Sequence, residues 1–147
     1  MASFKDSIAI RASKQRVYDV VSDFGRYPEF LPEVEKVKVI SKTKTRAKAA
    51  FTVNMVKKIN YTLDFKLSPP NSITWTLVEG EFMESNNGSW AFTSLDKNLT
   101  DVVFSIDIGF PFWVPQTLAE GAINSSMPGM IKNIKLEAEK CHCEERK

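Results

Sequence analysis

Apolar and polar residues alternate along most of the chain, and a period of two is the pattern of a β-strand with one buried face. The pattern is clearest at residues 47–55 and 59–67, where every odd-numbered position is apolar or aromatic. Further runs with strand character, joined by turn-forming residues, cover 4–11, 34–41, 73–77, 90–92 and 102–110. Strands of this length with short connections predict a mainly antiparallel sheet that has one face toward water.

Between the first two strands the period changes to three and four, which predicts a helix. Val17 and Phe24 fall on its apolar stripe, and Ser13 is a suitable N-cap. Gly25 is placed to end this helix. The next segment, Tyr27-Pro28-Glu29-Phe30-Leu31-Pro32, is bracketed by prolines and predicts a second short helix or turn.

A long helix is predicted from about Gln116 to Lys140. Its apolar stripe, at spacings of three and four, consists of Ile123, Met127, Met130, Ile131, Ile134, Ala138 and Cys141. Pro128-Gly129 lies inside it and should kink the helix or break it in two.

The apolar sheet face and the apolar helix stripe must each be covered, and the simplest arrangement curves the sheet around the long helix. The sequence therefore predicts one α+β domain over residues 1–147. It has a seven-stranded antiparallel sheet, a long C-terminal helix and two short helices after strand 1. Because a helix cannot touch every strand of a curved sheet, we expect a gap between them. Small residues such as Ala122 and Gly129 widen that gap or, alternatively, allow close packing.

Three segments carry a resemblance to a known family: Asp23–Pro32 followed by Val34, Ile73–Gly80, and Gly88–Phe92. They resemble the START-like polyketide cyclase and coenzyme Q-binding family, which also includes ribosome-association toxins of the RatA type. The resemblance covers essentially the whole chain. It implies a helix-grip fold with a deep apolar cavity under the C-terminal helix, which holds a lipid, an isoprenoid quinone or an aromatic polyketide.

Aromatic residues are numerous, with ten Phe, three Trp and three Tyr, which leaves rings available to line a pocket. Strand parity selects the candidate ligand-binding residues Phe51, Val53, Met55, Tyr61, Leu63, Trp75, Trp90, Phe92 and Phe104, and the long helix adds Leu118, Ala122, Ile123 and Met127. We expect Tyr61 and the Trp75 indole to orient a ligand through their polar ends. The alternative is that many of these residues form an ordinary core.

The segment Phe110-Pro111-Phe112-Trp113-Val114-Pro115 precedes the long helix, and its prolines argue against a regular element there. We therefore expect Phe110, Phe112 and Trp113 at the cavity mouth, where they gate the pocket or contact a membrane. The alternative is that they close the open end as core.

The usual catalytic constellations are missing. The single histidine, His142, lies in the C-terminal tail between Cys141 and Cys143, which leaves the body of the chain without a base for a serine or cysteine nucleophile. The Cys-His-Cys spacing does not suit a tetrahedral metal site, and no phosphate-binding glycine loop is present. No catalytic residue, metal or cofactor is therefore predicted.

General acid–base chemistry is harder to exclude, because a carboxyl group buried in an apolar cavity has a raised pKa and can act as acid or base. The candidates are Glu79, Glu84, Tyr61 and Asp101. The alternative, which we favour, is that the carboxylates are hydrated at strand ends. An enzyme is thus less expected than a binding protein.

The net charge is only +2, but the cations of the first strands share even-numbered positions: Lys36, Lys38, Lys42, Lys44, Arg46, Lys48, Lys58 and Lys66. This positive sheet face could meet anionic lipids or ribosomal RNA, or it is simply a solvated face that discourages aggregation. DNA is not an expected partner.

Location and function follow from these observations. No run reaches the roughly 18 apolar residues of a membrane span, and two cysteines one residue apart are too close for an unstrained disulfide. We expect a cytoplasmic protein, with peripheral membrane contact if the segment Phe110–Pro115 touches a bilayer. The leading hypothesis is binding or transport of a hydrophobic small molecule such as a lipid or isoprenoid quinone. A polyketide cyclase or aromatase and a ribosome-associated regulator are the alternatives.

Overall fold

The computed structural model describes residues 2–55 and 57–144, except for the side chains of residues 55 and 141–144. The predicted fold class is confirmed. The elements in chain order are β1 (Ala2–Ile10), α1 (Lys14–Ser22), a 3-10 turn (Phe24–Arg26), α2 (Tyr27–Phe30), β2 (Val34–Lys42), β3 (Arg46–Met55), β4 (Lys57–Ser68), β5 (Ser72–Gly80), β6 (Ser85–Asp96), β7 (Leu99–Gly109) and α3 (Gln116–Glu144).

The seven strands form one antiparallel sheet in the order β1-β7-β6-β5-β4-β3-β2. Consecutive strands from β2 to β7 are neighbours, and β1 pairs with the last strand, so β1 and β2 are the two edges. The short helices connect these edges: α1 packs against β6, β7 and α3, whereas α2 lies against β2. The segment between β1 and β2 therefore crosses the concave side of the sheet from one edge strand to the other.

The first helix begins where the sequence predicts. The side chain of Ser13 accepts a hydrogen bond from the backbone N–H of Arg16 at 3.1 Å, which caps the helix. The helix ends at Ser22, two residues before the predicted end, and Gly25 lies within the 3-10 turn that follows. The strand predicted at residues 59–67 is longer in the structure, because β4 already begins at Lys57 and ends at Ser68.

Strand parity places the core where the sequence predicts it. On the middle strands β3, β4 and β5 the odd-numbered side chains are buried, whereas on β6 and β7 the even-numbered ones are buried. Their rings pack against one another, for example Phe24 on Phe65, with ring centroids 4.1 Å apart, and Trp90 on Phe104, at 4.5 Å. Such aromatic contacts stabilise the sheet face beyond the area they bury.

The long helix is one element of 29 residues, so the predicted break at Pro128-Gly129 is wrong. Pro128 and Asn124 are both exposed. Proline removes the hydrogen bond to the carbonyl four residues earlier, and here water can replace it at the exposed Asn124 carbonyl. No helix in residues 2–55 and 57–144 combines the length and hydropathy that a bilayer span requires.

The position of α3 is what creates the site. Its closest packing is against β1 and α1, and its contacts with the middle strands are few. The side chains that it buries are Ala119, Ile123, Met127, Ile131, Ile134 and Ala138. The space between α3 and β3–β5 is thus bridged by side chains alone.

Gly88 provides a test of how tightly the sheet face is packed. A Cβ on this residue would overlap the Trp75 ring and lie 2.7 Å from the Ser105 carbonyl oxygen. Because Trp75 is buried and held in place, we expect Gly88→Ala to lower the free energy of unfolding by about 1–3 kcal/mol in urea denaturation.

The matched control is Gly121→Ala on the exposed side of α3, where an added Cβ meets nothing within 4 Å. We expect this variant to gain up to about 1 kcal/mol, because alanine is the better helix former. Equal stability of Gly88→Ala and the native protein would show that the Trp75 ring is free to move.

Candidate ligand-binding cavity

A cavity of about 100 Å³ lies between the middle of α3 and the concave sheet face. Side chains from α2, β2 and α3 and from the five strands β3 to β7 line it. They are Tyr27, Leu31, Val34, Phe51, Tyr61, Leu63, Phe65, Trp75, Asn86, Trp90, Phe104, Ile106, Met127, Met130 and Ile134. We call this space the central cavity.

The structure brings seven of the sequence-selected residues together around the central cavity: Phe51, Tyr61, Leu63, Trp75, Trp90, Phe104 and Met127. Val53 lies beside it in a side opening, and Leu118 and Ala122 line a separate groove. Phe92 and Ile123 are core residues instead, because Phe92 packs between Tyr18 and Trp90 and Ile123 is fully buried. The side chain of Met55 lies outside the described residues.

Sequence reasoning missed several lining residues, for two reasons. Tyr27 and Leu31 come from the proline-bracketed segment, which no strand or helix period assigns to a face, and Val34 is the first residue of β2. By contrast, Asn86 and Ile106 share the even parity of Trp90 and Phe104 and could have been found by extending that pattern.

The central cavity contains one buried polar pair. The Trp75 indole N–H donates to the Asn86 side-chain oxygen at 2.9 Å, and the Asn86 amide also lies 3.9 Å from the sulfur of Met83. Asn86 is only 3% exposed. The expectation that the Trp75 N–H orients a ligand is therefore corrected: this donor is already used, and Asn86 presents the amide instead.

Two tyrosine hydroxyls lie near each other at the α2 side of the cavity. Tyr27 donates to the backbone carbonyl of Val21, whereas the hydroxyl of Tyr61 makes no hydrogen bond to another described residue. Burial raises the pKa of both tyrosines well above the usual value, and for Tyr27 the nearby Tyr61 and Asp23 add to the effect. Tyr61 thus faces the cavity as a neutral hydrogen-bond donor at physiological pH.

The carboxylates considered for acid–base chemistry lie outside the cavity. Glu79 and Glu84 are exposed, and Asp101 lies on the outer face of β7, between the buried Thr100 and Val102. The in-facing assignment of these three residues is therefore wrong, and the favoured alternative of hydrated carboxylates agrees with their positions. Of the four candidates, Tyr61 alone lines the cavity.

A β-bulge explains the error at Glu79. Tyr61 pairs with Gly80 and Thr62 with Glu79, but Leu63 pairs with Leu77, so one extra residue of β5 is inserted at this point. A shift of one residue moves every following side chain to the opposite face. Glu79 consequently lies beside the buried Thr62 on the outer surface of the sheet.

The cavity reaches toward the surface through a side opening between α3 and the start of β2. This opening, about 60 Å³, shares five lining residues with the cavity and adds Glu33, Val53 and Ser126. Met127 and Met130 form its helix side. Because methionine side chains are flexible, this is the easiest part of the wall to move.

The segment Phe110–Pro115, the aromatic loop, lies directly before the N-terminal end of α3. Phe110 and Trp113 line an apolar groove of about 280 Å³ together with Lys57, Ile59, Phe82, Val114, Leu118, Ala119 and Ala122. Phe112 points outward and is 96% exposed. We call this space the loop groove, and it shares no lining residue with the central cavity.

Metal ligands are not gathered in the described part of the chain, where no three Cys, His, Asp or Glu side chains form a group. The side chains of Cys141, His142 and Cys143 lie outside the described residues.

Comparison with known proteins decides the family. Residues 10–135 match the family described as polyketide cyclase / dehydrase and lipid transport. The chain belongs to this family. The ribosome association toxin RatA of Vibrio cholerae is 30% identical over 112 residues, which cover 75% of this chain and 76% of the toxin.

Solved structures of low sequence identity share the fold of this family member. The Zhui aromatase/cyclase from a Streptomyces species superposes with a TM-score of 0.87 at 17% identity, covering 95% of this chain and 94% of the other. A START superfamily protein from Mycobacterium smegmatis gives 0.85 at 15% identity, covering 95% and 99%. At these identities the likeness establishes the helix-grip architecture alone.

The raised tyrosine pKa values predict a loss of stability at alkaline pH. Unfolded tyrosine titrates near pH 10, whereas folded Tyr61 keeps its proton above that pH. The contribution of protonated Tyr61 to the free energy of unfolding is therefore fully present below pH 10 and is lost as the pH rises above it. Each such tyrosine lowers the free energy of unfolding by up to about 1.4 kcal/mol per pH unit.

Urea denaturation of the native protein and Tyr61→Phe at pH 9 to 11 checks this. We expect the variant to lose stability less steeply, because phenylalanine has no proton to release. Identical slopes would mean that Tyr61 is hydrated and titrates normally.

Proposed function

We propose that the protein binds a compact hydrophobic molecule, or the ring end of a longer one, in the central cavity and acts as its carrier. The observation that carries this proposal is a cavity of about 100 Å³ whose wall is rich in aromatic rings and includes Tyr61, whose hydroxyl makes no hydrogen bond to another described residue. Membership of a family described as cyclase, dehydrase and lipid transport supports it.

The volume limits the ligand. About 100 Å³ is slightly smaller than the engineered cavity of about 150 Å³ that accommodates benzene in another protein. A folded acyl chain does not fit such a space, whereas one aromatic or quinone ring does if Met127 or Met130 shifts slightly. A chain attached to the ring would leave through the side opening, whose walls are apolar apart from Glu33, Ser126 and the Tyr61 hydroxyl.

The polar groups suggest how the ring is oriented. Tyr61 and the Asn86 amide are hydrogen-bond donors, and neither carries a charge. A ligand that presents a carbonyl or ether oxygen satisfies one of these donors, while the rest of its surface is removed from water at about 25 cal/mol per Å². A quinone-like or aryl ketone group meets both requirements.

Binding rather than chemistry is the better supported role. With the carboxylates on the outer surface, the polar residues of the cavity wall are two tyrosines, one amide and the Trp75 indole, and the pKa values of the two phenols are raised. A phenol that keeps its proton far above neutral pH is a poor general base. A cyclase would therefore have to act by shaping a reactive chain alone.

Acetophenone and ethylbenzene are a matched pair of probes, because they differ in the carbonyl oxygen. We expect both to bind, with Tyr61→Phe weakening acetophenone about two- to tenfold and leaving ethylbenzene unchanged, as the loss of one hydrogen bond requires. Ligand-observed NMR titration measures both affinities.

The position of the site is tested with Met130→Trp, which fills the cavity from α3. We expect it to abolish binding of both probes, whereas Leu136→Trp, on the exposed side of the same helix, leaves binding intact. Binding that survives Met130→Trp in a folded protein would place the ligand elsewhere and refute the proposal.

Ribosome association is a second candidate function, supported by the RatA relative and by one surface. Lys36, Lys38, Lys48 and Lys66 lie on the outer face of the sheet, and in the described part of the chain they carry no ion pair. Arg46 on the same face is neutralised by Asp64 at 3.5 Å. Lysines on the outer sheet face that have no ion pair among the described residues suit contacts with RNA phosphates.

Sedimentation with ribosomes tests this candidate. We expect the native protein to pellet with ribosomes at low salt and to be released as salt rises. Binding to phosphates displaces the counterions around them, so a higher salt concentration weakens the binding. Replacing Lys36 and Lys38 by Glu should abolish pelleting, while the same charge change at Lys132 and Lys140 on α3 should not. Equal effects of the two pairs would indicate net charge alone.

A further inference from the structure

The loop between β7 and α3 exposes large apolar side chains to solvent. Phe112 is 96% exposed and Trp113 58%, and Leu118 in the first turn of α3 is 48% exposed. These three residues fall within seven positions of the chain. Pro111 and Pro115 bracket the loop, and the backbone N–H of Val114 closes a turn onto the carbonyl of Pro111 at 3.0 Å, so the exposure belongs to an ordered segment.

The loop is held by packing from beneath. Trp113 contacts the ring of Phe82 edge-on, with centroids 5.7 Å apart. Phe82 has a φ of 58°, a conformation that is strained for a bulky residue. Strain of this kind persists where surrounding contacts impose it, and it occurs often at functional sites. Here it turns the Phe82 ring under Trp113.

We propose that Phe112, Trp113 and Leu118 form a surface that docks on a lipid bilayer. Phe112 and Leu118 enter the acyl region, and Trp113 lies at the headgroup level, where indole rings are favoured. Lys57, whose ammonium lies 4.1 Å from the Phe82 ring centroid, extends from the apolar groove toward lipid phosphates. This docking surface is independent of the ligand proposed for the central cavity.

A bilayer fits this surface better than a protein partner. Three side chains around one projecting loop are far fewer than the roughly 20–30 residues that each partner contributes to a stable protein interface. A lipid surface needs no matching shape, and a few inserted side chains suffice for reversible binding. The apolar loop groove directly below would also remain next to lipid rather than water.

The charge distribution predicts how binding depends on lipid and salt. Among the described residues, Lys57 is the only charged one that lines the loop groove, and its neighbour Lys58 is paired with Glu35 at 3.1 Å. Docking should therefore be driven by apolar burial and should depend little on anionic lipid. This behaviour distinguishes it from attachment through the lysines of the outer sheet face, which salt would weaken.

Co-sedimentation with neutral phosphatidylcholine vesicles, without any added ligand, tests the docking surface. We expect the native protein to bind almost equally at low and high salt. Phe112→Ser should weaken partitioning about tenfold to a hundredfold, because a fully exposed phenylalanine no longer enters the bilayer. Leu95→Ser, at an apolar residue on β6 that is 57% exposed and distant from the loop in sequence, is the control and should bind normally.

A second readout locates the inserted ring. Vesicles that contain brominated lipids should quench the native tryptophan emission, and Trp113→Phe should bind but lose that quenching, since Trp75 and Trp90 are buried. Absence of vesicle binding, or equal loss in Leu95→Ser, would overturn the proposal. Vesicle binding that requires anionic lipid and is unaffected by Phe112→Ser would also overturn it. A protein that binds no vesicles but forms a dimer in solution, which Phe112→Ser abolishes, would overturn it as well.

Discussion

The structure depends on the inability of one helix to contact every strand of a curved sheet. Because α3 packs on β1 and α1, it stands away from β3–β5, and only side chains can fill the intervening space. The rings on the sheet side pack against one another instead of collapsing onto the helix, as in the stacked pairs Phe51–Tyr61 at 5.5 Å and Trp75–Phe104 at 6.0 Å. A continuous aromatic wall therefore leaves a small cavity.

The same constraint determines the chemistry of the cavity. Any polar group on the concave face is removed from water, so it must be paired or remain neutral. Asn86 satisfies the Trp75 indole, and Tyr27 satisfies the carbonyl of Val21. The Tyr61 hydroxyl makes no hydrogen bond to another described residue. None of the described residues that line the cavity carries a charge, and this is the basis of the binding function proposed above.

Two outer surfaces have different physical characters. The lysines of β2–β4 form a polar face suited to phosphates, whereas the loop before α3 exposes apolar rings suited to lipid. They are separate in the fold, and salt is expected to weaken contacts through the lysines but to change contacts through the loop little, so the two modes of attachment can be studied independently.

The sequence by itself determined the elements, the buried face of the middle strands β3 and β4 and the order that leads to a helix grip, because side-chain periodicity is a local property. Six of the cavity residues followed from strand parity and a seventh, Met127, from the apolar stripe of the long helix. Three features were decided by the tertiary structure alone. The bulge opposite Thr62 turns Glu79 outward, and Tyr27 in α2 and Leu31 just after it close the cavity. Phe112 faces solvent, whereas Phe110 lines the loop groove. These features depend on strand register and on contacts between segments distant in the chain, which no local pattern records.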